Sequence, residues 1–138
     1  MKSKQVIVLR KDLKNAKGEK VRSGKLCSQA AHASLKVIID LMRQNEDAVQ
    51  TQLILDIKKD SALNDWIKGH YTKISVSVNS EAELLQIYNT AKESGLICSL
   101  ITDAGFTEFE GIPTLTAVAI GPAWENEVDA ITGKLPLL

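Results

Sequence analysis

Hydrophobic and polar positions divide the chain into segments of two different periods. Residues 4–10 hold Gln5-Val6-Ile7-Val8-Leu9, a largely β-branched run that predicts a strand buried on both faces. Residues 71–78 alternate instead, Ile74, Val76 and Val78 against Lys73, Ser75 and Ser77, which predicts a half-exposed strand. Residues 96–102 and 113–120 predict two more strands, the last stopped by Gly121-Pro122. A first helix is predicted over residues 24–44 with Ser23 as N-cap. Residues 46–57 read as a weak helix with Val49, Leu53 and Ile57 on one face, and residues 61–68 as a short helix closed by Gly69. Ser80-Glu81-Ala82-Glu83 is a capping box opening a helix through Glu93, and residues 124–131 form a last helix. The order β-α-α-β-α-β-β-α predicts one α/β domain over residues 1–138, a four-stranded mixed sheet with helices on both faces.

Two loops stand out. Residues 11–22, rich in charge, are long for a strand-to-helix connection, and residues 103–112 are punctuated by glycine. The formal net charge of zero hides a division: residues 1–25 carry nine Lys or Arg against Asp12 and Glu19, and the remainder carries the compensating acidic excess. Such segregation points to an anionic partner on the N-terminal side or to a solvated lysine-rich surface, and charge alone does not choose. No apolar run is long enough to span a bilayer, and Met1–Lys4 leads into only four apolar residues before Arg10, so no membrane association and no signal peptide are expected. Cys27 and Cys98 make neither a disulfide framework nor a zinc site, which predicts a cytoplasmic protein without a metal.

The first helix carries the candidate chemistry. At 100° per residue, Lys25, Gln29, His32 and Lys36 fall on one stripe, with Leu26, Ala30, Ala33 and Val37 on a second. Cys27, Ala31, Ser34 and Ile38 make much of the rest small or apolar, so the helix is expected to be deeply embedded and its polar stripe to line a cleft. The bland alternative is that Gln29 and His32 are satisfied core residues and Lys25 is solvated. The helix start would also offer N–H groups to a phosphate or carboxylate. A second cluster, Thr102-Asp103-Ala104-Gly105-Phe106-Thr107, follows a strand end, where an Asp can accept a proton, orient a His or position water, or simply make a turn.

These segments resemble the type 2 peptidyl-tRNA hydrolases of archaea and eukaryotes. The resemblance rests on Arg10-Lys11-Asp12-Leu13, on residues 24–33 (GKLCSQAAHA), on Lys73, on Asp103-Ala104-Gly105 with Thr107, on residues 116–122 (TAVAIGP) and on residues 131–135 (ITGKL), in that order. It covers nearly the whole chain except residues 45–70. It implies a homodimer without cofactor or metal that releases peptide from peptidyl-tRNA. The family's site residues carry over to Lys25, Gln29, His32, Asp103, Thr107 and Thr116. Phe106 stands where the family usually has Arg, Thr102 replaces a frequent Gln, and Glu108 and Glu110 add negative charge nearby. Loss of an Arg removes a bidentate phosphate donor, for which Lys17, Lys20 and Arg22 of the longer basic loop are candidate substitutes.

The mechanism this implies is metal-free ester hydrolysis. His32 or Asp103 activates water, Lys25 and a loop N–H stabilise the oxyanion, and Thr107 and Thr116 position water or the 3′ adenosine, with Gln29 and Lys73 as further substrate contacts. A Cys27 nucleophile is discounted, because Cys27 and His32 lie about 140° apart on a helix. Two alternatives stay open: a tRNA-binding relative without activity, and a hydrolase of another acyl-nucleotide ester.

Overall fold

The computed structural model describes residues 1–105 and 109–138. Strand β1 (Ser3–Arg10) is buried along nearly all its length, as its unbroken apolar run requires. It lies in the middle of a four-stranded sheet with β4 (Lys73–Val78), β5 (Cys98–Asp103) and β6 (Thr114–Trp124), in the order β4-β1-β6-β5. The pair β1–β4 is parallel, while β6 runs antiparallel to both β1 and β5. Asp103 and Arg10 therefore end their strands at the same edge of the molecule.

Helices α1 (Ser23–Ile39) and α2 (Ala62–Lys68) lie on one face, α3 (Glu81–Glu93) and α4 (Glu125–Thr132) on the other. The alternation of β1 sorts the contacts. Ile7 and Leu9 meet Ala33 and Val37 of α1, and Ser3 Oγ donates to Asp65 Oδ2 of α2 at 2.6 Å. Val6 and Val8 meet Leu84 of α3 and Val128 of α4, and Lys4 reaches Asp129 of α4. Ser80 caps α3 as expected, its Oγ accepting from Glu83 N at 3.1 Å, and Ser61 does the same for α2 from Asn64 N. The last residues close the open edge of β4: Ser77 N donates to Pro136 O and Leu138 N to Ser75 O. No helix among the described residues is long and apolar enough to cross a membrane.

Three expectations are corrected. Residues 46–57 are not helical: β2 (Arg43–Glu46) and β3 (Thr51–Ile54) form an antiparallel hairpin, and α1 ends at Ile39 rather than near residue 44. Asp47 explains the turn, since its Oδ1 accepts from Val49 N and Gln50 N and offers the backbone an alternative to a helix. The spacing of Val49 and Leu53 misled, because both are exposed. Second, β6 does not stop at Gly121-Pro122. Lys4 pairs with Ala123 and Val6 with Ile120, so the two residues are absorbed as a bulge. Gly121 has φ +88°, and a Cβ there would lie 2.7 Å from Lys4 O, so only glycine fits. Third, α1 is not deeply embedded. Gln29, Ala33 and Val37 are buried, while Cys27, Ala31, His32 and Lys36 are exposed. Its N-cap is Arg22, without a side-chain cap, instead of Ser23.

Candidate active site

Helix α1 runs antiparallel to β5 and leaves a groove of about 1230 Å³ along it, lined among others by Arg22, Lys25, Gln29, His32, Lys36 and Asp103. The whole polar stripe of α1 thus faces one groove, and at its upper end the stripe is bonded to β5. Lys25 Nζ and Gln29 Nε2 both donate to Asp103 Oδ2 at 2.8 Å, and Gly105 N donates to Oδ1 at 2.7 Å. Behind them Thr116 Oγ1 donates to Gln29 Oε1 at 2.5 Å. Spacing of i and i+4 on one helix brings Lys25 and Gln29 to the same carboxylate oxygen. The pairing of Asp103 with Thr114 sets Thr116 on the neighbouring strand beneath Gln29.

The electrostatics follow from this geometry. Burial pushes the Asp103 carboxyl up, but the bonds from Lys25, Gly105 and Gln29, with the charge of Lys25, outweigh it and hold the group below the usual carboxylate range. Asp103 is therefore an anion at neutral pH and a weak base. Lys25 also lies over the Phe109 ring, 5.2 Å from its centroid. Phe109 belongs to a small apolar cluster with Leu13, Val21 and Leu26, which ties residues 11–22 to the start of α1. Within that segment Asn15 Oδ1 accepts from Lys17 N and Glu19 N, and Lys14 bridges to Lys20, so the loop is a tight turn.

The other sequence-predicted residues divide. His32 stands exposed on the groove wall, and Arg22 lies at the groove's upper rim. Lys17 and Lys20 are exposed on the tight turn. Thr116 is fully buried and donates to Gln29. Lys73 is not brought to the site. It begins the opposite edge strand, and its Nζ lies 5.1 Å from the Trp66 ring centroid. Phe106, Thr107 and Glu108 lie outside the described residues. Glu110 is exposed beside a separate hollow with Arg10 and Asp12.

Some groove residues went unnoticed in the sequence. Leu35 and Ile39 continue the stripe one and two turns beyond His32, and their spacing was a usable signal. Asp40 was not: its bond from Ser99 Oγ, 2.7 Å, depends on how α1 lies along β5. Arg10 forks onto both oxygens of Asp12 at 2.9 and 2.6 Å and donates to Leu115 O, so this motif pair braces strand ends beside the site. Among the described residues no group of three or more His, Cys, Asp or Glu is placed to hold a metal.

Comparison with known proteins places the chain in a family. A protein named peptidyl-tRNA hydrolase from Methanocaldococcus jannaschii is 42% identical over 135 residues, 98% of this chain and 99% of its own length. Proteins of the same name from Methanothermobacter thermautotrophicus and Saccharolobus solfataricus are 38% and 37% identical over 135 residues, covering 98% of this chain and 99% and 98% of their own lengths. The family described as Peptidyl-tRNA hydrolase PTH2 matches residues 3–138, and the chain belongs to that family.

Proposed function

We propose that the chain hydrolyses the ester joining a peptide to the 3′ ribose of tRNA, in the groove between α1 and β5. The observation that carries this reading is the bonded series Lys25–Asp103–Gln29–Thr116 at the groove's basic end. Asp103 holds Lys25 in place, and Lys25 meets the oxyanion that forms when water adds to the ester carbonyl. Asp103 is engaged by Lys25, Gln29 and Gly105, and His32, exposed on the groove wall one helical turn from Gln29, acts as the general base. His32 takes the proton of the attacking water and returns it to the departing ribose hydroxyl. Thr107 positions water or the terminal adenosine, a role resting on the resemblance alone. Arg22, Lys17 and Lys20 receive tRNA phosphates. A cytoplasmic homodimer belongs to the same reading; sedimentation measures the second part of it.

The test is release of N-acetylated amino acid from tRNA by the purified protein and by Asp103→Asn. The amide keeps the shape but not the charge that holds Lys25, so kcat should fall by about 10²–10³, the size of a lost oxyanion stabiliser. Tight tRNA binding without turnover by the wild type would support a binding module instead.

A further inference from the structure

We propose that the lower half of the groove, from Gln29 down to Asp40, seats the peptide of the substrate, with Leu35 and Ile39 selecting apolar side chains next to the ester. This rests on the reading of the site as a peptidyl-tRNA hydrolase. The two ends of the groove are unlike. At the upper end lie Arg22, the start of α1 and the basic turn, whose Leu13 and Val21 pack with Leu26. At the lower end Leu35 is 60% and Ile39 41% exposed, one turn apart and both facing the groove, with Ile101 beside them. The cation at that end, Lys36, is neutralised by Asp40 at 3.1 Å, and Asp40 is tied to Ser99 of β5.

The substrate is unlike at its two ends in the same way: a polyanion on one side of the ester, a peptide on the other. With the ester at Lys25 and Gln29, only one orientation puts phosphates by the basic turn and leaves the peptide over Leu35 and Ile39. Ten helical residues separate Gln29 from Ile39, about 15 Å of helix. That length accommodates roughly four extended peptide residues. Solvent-exposed leucine and isoleucine are unremarkable singly, but two in register along a groove that already holds the reacting groups make a contact surface.

The experiment compares N-acetyl-leucyl-leucyl-tRNA with N-acetyl-glycyl-glycyl-tRNA on one tRNA, each kcat/KM divided by that ester's rate with hydroxide. The wild type should favour the leucyl substrate by about tenfold or more, the scale of methylene discrimination in an apolar pocket. In Leu35→Ser/Ile39→Ser the ratio should fall toward one, and in Ile39→Ser, the milder change, part of the way. A wild-type ratio near one overturns the proposal, as does a ratio that both variants preserve. A variant that keeps the ratio but changes the sedimentation mass also overturns it, and assigns the face to a second copy of the chain. Failure of the underlying reading looks different, since the wild type would then hydrolyse neither substrate.

Discussion

Thr116 shows how a buried hydroxyl can govern a groove it never touches. By donating to Gln29 Oε1 it makes that atom the acceptor and leaves Nε2 as the donor toward Asp103. Thr116→Val keeps the volume and removes the donor. The amide is then free to turn its oxygen toward the Asp103 carboxylate, which would repel it. A buried acceptor without a partner costs about 1–3 kcal/mol. The expected result is a lower melting temperature together with a fall in kcat at nearly constant KM, since the groove surface is unchanged. Thr116→Ser, which restores the donor, should recover kcat; if it does not, the hydroxyl is not what orients Gln29.

At the scale of the element, α1 holds the site together by how closely it approaches the sheet. Ala33 is fully buried against Ile7, Leu9, Ala117 and Ala119, and a larger side chain has nowhere to go. Ala33→Leu should cost about 1–3 kcal/mol by overpacking, read by urea unfolding. It should also lower kcat/KM, because a displaced α1 draws Lys25 and Gln29 away from Asp103. Full activity in a destabilised Ala33→Leu would show that the lateral bonds tolerate such a shift. The hairpin β2–β3 differs: its strands are largely exposed, and among the described residues it joins neither core cluster of the main sheet.

Over the whole molecule, part of the N-terminal basic excess gathers at one end of the sheet. The basic turn sits at the same end of the sheet as Asp103, and Lys17 and Lys20 point into solvent there. Neutralising phosphates releases counterions, so tRNA binding should weaken as salt rises. Lys17→Ser/Lys20→Ser should reduce the log–log slope by about 0.7–0.9 for each phosphate that is no longer neutralised. Stability should barely change, since exposed charges contribute about 0–1 kcal/mol. Parallel slopes for wild type and variant, in a titration at several salt concentrations, would return the turn to an ordinary solvated surface.

Local regularities were legible in the chain itself. The apolar run of β1, the Ser80 cap and the stripe from Lys25 to Lys36 depend on near neighbours, and the structure bears them out. The alternation of β4 marks a strand but not the half-exposed one it predicts, since Ser77 on its polar side is buried and bonded to Pro136. Asp103 could be singled out as a strand-end carboxylate by the same means. Other features depend on partners far along the chain. Strand order puts Lys73 on the opposite edge from the groove, and Thr116 stands beneath Gln29 because β6 lies beside β5. The bulge at Gly121 needs Lys4 beside it, and the weak helix of residues 46–57 gave way to a turn set by one aspartate. That the Asp103 carboxyl is held below its ordinary range despite its burial depends on Lys25, 78 residues earlier, and on Gln29 and Gly105 laid against it. Sequence periodicity selects the faces of elements, whereas bonds between elements follow from packing, and here packing alone joins the site.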